Sequence, residues 1–338
     1  MAAAFHEVFP AFGVDEDRKP PGMIVPLHGS NIVALEGGPD LKVVPEKDFV
    51  RVVKLDSASV QKYTLLANQQ KLMTREKRPL GTDTIYFEVY GKNLGRRDGT
   101  ILKAIDPKTP KKEGPSLKVV VVGNKTINIA IRPVKVRDEK GNWASHSSKQ
   151  FDPDLLRDQM NAIWTSQANV VFDLISSDPF LIEEVKLAEH LKRTGVSREA
   201  FLKDIHIQAF APLFKVPKDF KDPKDHKSRK VDLTFYMVKS ILDLNLAHPH
   251  ERGTYPAGAT IRDDRFTLVC DQIELDLVRQ SRQLDTIPGI TLAHEAGHFM
   301  GVDGHDTTAG NAMLMANGGP IVGLGKVPFD QVIQFFNT

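Results

Sequence analysis

The rhythm of apolar positions changes about a third of the way along the chain. Before that point, short β-branched and aromatic segments recur: "LKVV", "FVRVVKL", "VQKYTLLA", "DTIYFEVYG", "TILKAI" and "LKVVVVG". Gly, Pro, Asp and Asn separate them. Short strands punctuated this way predict a small β-sandwich. The lysine- and proline-rich "DPKTPKKEGPS" puts its boundary near residues 107 to 125. The expected division is therefore a β-domain over 1–123 and a second domain over 124–338.

Beyond the boundary, strand and helix periods alternate. "TINIAIRPVKV" alternates as a strand. "FDPDLLRDQMNAIWTSQ" predicts a helix, with Asp152 as cap and Pro153 in the first turn. Its Leu156, Met160, Ile163 and Trp164 recur at helical spacing. "NVVFDLI" is a second strand, and "DPFLIEEVKLAEHLKRTG" predicts a helix stopped by Gly195. "SREAFLKDI" gives a short helix capped by Ser197; "VDLTFYMV", "PAGATI" and "RFTLVCD" are further strands. "IPGITLAHEAGHFMG" predicts a helix ending at Gly301, and "PFDQVIQFFN" a last helix packing Val332, Ile333 and Phe336. Such alternation predicts an α+β domain of ordinary single-domain size.

Composition narrows the function classes. Across 338 residues the formal net charge is only +2, which gives no electrostatic reason to expect nucleic acid or an anionic membrane as partner. The most charged stretch, "FKVPKDFKDPKDHKSRK", mixes Asp with Lys and is cut by Pro, so it is expected to be a solvated loop. No apolar run approaches the length of a membrane span. The single cysteine, Cys270, sits on an alternating strand and is expected to be a buried apolar residue. The N-terminus lacks a basic start, and His6 and Glu7 interrupt its short apolar run. A Sec-type signal is not expected. The protein is then either cytoplasmic or exported by a route that does not use one.

The chemistry concentrates in "TLAHEAGHFMGVDGHD", residues 291 to 306. On a helix, His294 and His298 stand four residues apart, one turn apart on one face. One Zn²⁺ can take both imidazoles, and Glu295 beside them can reach a metal-activated water without being a ligand. A catalytic zinc needs a third protein ligand and an open fourth position. From Phe299 to Thr338 the sequence has no Glu, which removes a downstream Glu ligand. Gly301 allows a sharp left-handed turn, and Asp303, His305 and Asp306 follow it. Each of the three has suitable donor chemistry. Farther on, "NAMLMANGG" places Met313 and Met315 where a turn can form an apolar floor under a metal. His248 and His250 in "AHPHERG" have no obvious Asp or His set nearby and are expected in an exposed loop.

"HEAGHFMG" with the later His and the methionine turn resembles the metzincin zinc metalloproteases, whose pattern is HExxHxxGxxH followed by a Met-turn. The order of strands and helices from about residue 124 onward resembles the matrixin branch. One departure stands out: position 304 is Gly, and His305 comes seven residues after His298 rather than six. The resemblance implies a zinc endopeptidase with His294, His298 and His305 as metal ligands, Glu295 as general base, and Met315 in the Met-turn. An extended peptide or protein substrate would pair with an edge strand such as "PAGATI". The N-terminal domain resembles an Ig-like accessory module of the kind bacterial secreted proteins carry. The expected context is an effector exported without a Sec signal, with a secretion-machine or immunity partner. The expectation from another class is a binding module or adhesin that keeps zinc only for structure.

Overall fold

A computed structural model of the chain describes residues 3–8, 14–15, 18–38, 40–59, 61, 84–94, 99–110, 113–137, 140–146, 152–207, 211–214, 219–221, 228–242, 258–270, 289–301 and 329. The protein is a mixed α+β chain with several β-sheets and few helices among these residues. It divides into two compact units. One comprises Met1–Lys125, Asn161–Val171 and Gly301–Thr338; the other comprises Thr126–Met160 and Phe172–Met300.

The first unit is built from nine strands: β1 (Ala4–Glu7), β2 (Val14–Asp15), β3 (Gly22–Pro26), β4 (Ser30–Glu36), β5 (Lys42–Pro45), β6 (Val50–Lys54), β7 (Ile85–Gly91), β8 (Thr100–Ile105) and β9 (Ser116–Val122). They form two sheets, ordered β1-β4-β7-β6 and β2-β3-β9-β8-β5. All neighbours are antiparallel except β3 and β9. Val33, Leu35, Phe87 and Val89 of one sheet join Met23, Val25, Leu117 and Val119 of the other in a single buried cluster. Apolar burial of this kind is the main favourable term holding two sheets together. The segments expected as strands from "LKVV" to "LKVVVVG" are β5 to β9, except "VQKYTLLA", which lies outside the described residues but for Gln61. The four strands before residue 37 are additions to the expectation. Phe329, the described residue of the expected last helix, is helical and buried; its ring lies where a Cβ on Gly22 would stand, 2.7 Å away.

The second unit centres on one sheet. Its strands are β10 (Lys125–Arg137), β11 (Trp143–Ser145), β12 (Val170–Ser176), β13 (Phe180–Ile182), β14 (Ile205–His206), β15 (Asp219–Lys221), β16 (Ser228–Lys230), β17 (Leu233–Val238), β18 (Ile241–Leu242), β19 (Gly258–Ile261) and β20 (Phe266–Cys270). The sheet order is β11-β10-β17-β20-β19, with β12 and β13 also paired to β10. β10, β17 and β20 run parallel, whereas β19 runs antiparallel to β20 at the edge. On one face, Tyr236, Phe266, Leu268 and Cys270 pack with Phe201, Phe214 and Leu187. Cys270 is buried there, and its thiol donates to Lys239 O at 3.0 Å.

Among the described residues the α-helices given bounds are α1 (Pro153–Ala168), which the division into units cuts after Met160, α2 (Glu184–Thr194), α3 (Arg198–Lys203) and α4 (Ile290–Phe299). Asp152 Oδ1 accepts from the N–H groups of Asp154 and Leu155, each at 3.1 Å, so the expected cap opens α1. Ser197 Oγ accepts from Ala200 N–H at 3.1 Å at the start of α3. Gly195, at φ 69°, ends α2 in the left-handed region. Two expectations need correction. The single helix over 178–195 is a strand followed by a helix, because Phe180–Ile182 pairs in parallel with β10. The charged stretch expected as a loop contains the antiparallel pair β15 and β16; backbone pairing there does not require apolar alternation.

Candidate functional site

Helix α4 begins at Gly289, whose N–H donates to Gln159 Oε1 at 2.9 Å. A Cβ at this position would stand 2.7 Å from Gln159 Cβ and 2.9 Å from Leu156 O. Glycine is therefore what lets α4 start so close to α1. The buried residues Leu292, Ala293 and Ala296 seat the helix, which packs against β17, β19 and β20. Met300 N–H donates back to Ala296 O, and Gly301 follows at φ 99°, the left-handed turn expected after the helix.

The helical period brings His294 and His298 side by side, with ring centroids 4.9 Å apart at 81°. This spacing can be tested against a metal. With Zn–N bonds of about 2.0–2.1 Å, a ring radius of about 1.1 Å and a tetrahedral angle, two imidazoles on one zinc have centroids about 5 Å apart. The pair fits. His294 is buried and His298 half-buried.

Glu295 is 5% exposed. Its carboxyl is pushed up to about 7, because burial penalises the charged form; the hydrogen bond from Thr260 works in the opposite direction. Thr260 Oγ1 lies 2.6 Å from Glu295 Oε2 and 3.2 Å from Glu295 O. Thr260 and Thr267 are direct partners across β19 and β20, and their hydroxyls lie 2.9 Å apart. On the other side of the carboxyl, a Cβ on Gly258 would stand 2.5 Å from Glu295 Oε1. The edge strand and the helix thus enclose the carboxyl between a bare Cα and a hydroxyl.

Of the expected site residues, His294 and His298 stand side by side on α4, while the carboxyl of Glu295, between them in sequence, lies against Thr260 and Gly258 of β19. His305, Asp303, Asp306, Met313, Met315, His248 and His250 lie outside the described residues. Among the described residues no group of three or more His, Cys, Asp or Glu is placed to hold a metal ion. Sequence reasoning missed Gly258, Thr260 and Thr267. The strand that carries the first two was expected at the edge; the signal available was a hydroxyl residue inside it.

No family model matches this chain, and no curated protein matches it. Among solved structures, a chain from "Structure of a chaperone-substrate complex" is similar at a TM-score of 0.27 and 9% identity. The match covers 74% of this chain and 37% of that one. Likeness this low carries no argument about fold or function.

Proposed function

We propose that the chain is a zinc-dependent endopeptidase of metzincin type, with an Ig-like N-terminal module. The observation that supports this reading is the side-by-side placement of His294 and His298 on α4, with ring centroids 4.9 Å apart and a buried acid between them in sequence. His294 and His298 would hold the metal, and the resemblance supplies His305 as third ligand, ahead of Asp303 or Asp306. When bound, zinc supplies Lewis-acid polarisation of the scissile carbonyl and activation of the attacking water. Glu295 would take the attacking water's proton and pass it to the leaving amine.

Strand β19 supports an extended substrate. Among the described residues it pairs with β20 alone, so its outer edge offers backbone groups to a peptide. It also lies directly against α4, the helix that carries both histidines. A zinc site kept only for structure needs no base, and burying a carboxyl is costly. Export, with a secretion-machine or immunity partner, is the proposed context. Metal analysis with a randomised peptide library tests the function. The purified chain should carry one zinc and cleave library peptides; chelation should abolish cleavage and added zinc restore it. Cleavage that survives complete metal removal would exclude the proposal.

A further inference from the structure

The edge strand beside the helix does more than offer backbone to a substrate. Its Thr260 hydroxyl reaches across to Glu295 Oε2 at 2.6 Å and is itself backed by Thr267 Oγ1 at 2.9 Å. Thr267 is fully buried on the strand inside β19, so the backing group is fixed by the sheet. Glu295 Oε1 faces the Cα of Gly258, two residues before Thr260 on the same strand. A Cβ at 258 would also stand 2.6 Å from Glu295 Cγ, so the side chain is confined along its length as well as at its tip. Both oxygens of the carboxyl are thereby located by one strand: Oε2 by a donor, Oε1 by the space glycine leaves.

Resting on the peptidase reading, we propose that Thr260 is the positioning residue of the general base, with Gly258 as the other jaw of the same clamp. The hydroxyl fixes Oε2 and, with Gly258 against Oε1, sets the position of the carboxyl that would take and return the proton. Thr260 touches no reacting atom; it acts through Glu295. Because the clamp belongs to the strand on which the substrate would pair, the position of the base and the position of the peptide are set by one element. Misplacing a catalytic group by about 1 Å can cost about 10²-fold in rate. A side chain with free torsions needs such a restraint.

Three variants of the full-length, zinc-loaded chain test this. Thr260→Val keeps the branched shape and removes the hydroxyl; Thr260→Ser keeps the hydroxyl. Gly258→Ala pushes on Oε1, Cδ and Cγ of the buried side chain together, and so should displace the carboxyl and lower the thermal midpoint. Thermal melting and zinc content establish that each variant is folded and loaded. On the best-cleaved library peptide, kcat should fall about 10- to 100-fold in Thr260→Val with KM little changed, and Thr260→Ser should recover to within about threefold of the parent. A readout independent of turnover is the Glu295 carboxyl carbon resonance, identified by its loss in Glu295→Gln. It should move in Thr260→Val and Gly258→Ala and return in Thr260→Ser. A Thr260→Val chain that keeps the parent's kcat and carboxyl resonance overturns the clamp, as does a Thr260→Ser chain as slow as Thr260→Val. A parent that cleaves no peptide overturns the peptidase reading separately, and the resonance then still decides whether Thr260 holds the carboxyl.

Discussion

Glu295 and Glu88 are each buried to 5% exposure with a hydroxyl against the carboxyl. A carboxyl at 5% exposure gives up its hydration, and at Glu295 a threonine hydroxyl replaces part of it. The two histidines beside it were legible in the sequence, because an i, i+4 pair is fixed by helical geometry alone. Thr260 was not, since its contact with Glu295 spans 35 positions and depends on how the helix docks on the edge strand. The third ligand is the point where residue chemistry leaves a sharp choice. If His305 completes the proposed site, His305→Ala should weaken zinc binding well beyond the ~10- to 100-fold of an outer-shell change. Asp303→Ala and Asp306→Ala should stay within or below that range. Chelator competition measures all three, and loss of the metal in Asp303→Ala with retention in His305→Ala would transfer the role to the carboxylate.

At the scale of elements, helix ends were easier to find than strands. Asp152, Gly195 and Ser197 mark their helices by local hydrogen bonding or φ, which needs no tertiary partner. Strand β4 hides because five consecutive residues are buried and no alternation remains. One of them is Asn31, which reads as a breaker yet donates to Ile24 O at 2.6 Å. The helix pair α2 and α3 supplies a stability prediction. Arg198 bonds Glu184 at 2.5 Å and 2.8 Å and also donates to Arg137 O at the end of β10. The Arg198 guanidinium holds the Glu184 carboxyl below its ordinary 4.5, despite some opposing desolvation. A lowered carboxyl contributes stability above its unfolded value and loses it as pH falls through the folded value. The Glu184 side chain is 44% exposed, so solvent screens the pair. Arg198→Met should cost about 1 kcal/mol near pH 7. Urea denaturation should show that loss shrinking as the pH drops below 4.5, the ordinary value for Glu184. A loss that stays constant would assign Arg198's contribution to its backbone contact.

At the scale of the molecule, the first compact unit draws on three parts of the chain, including Gly301–Thr338. The packing of Phe329 on Gly22 within it joins positions far apart in sequence, and hydrophobic rhythm cannot announce such a contact. What the rhythm did announce was the change from strands alone to strands mixed with helices, because each element's period is local. Among the described residues no helix is long and apolar enough to cross a membrane. The account's central claim is that Glu295 serves as the base of a zinc peptidase. It is tested most directly by comparing the zinc-loaded parent with Glu295→Gln on a randomised peptide library. The account predicts equal zinc content and thermal midpoint, with cleavage slowed by ~10²-fold or more in the variant. Equal cleavage rates by the two chains would contradict it.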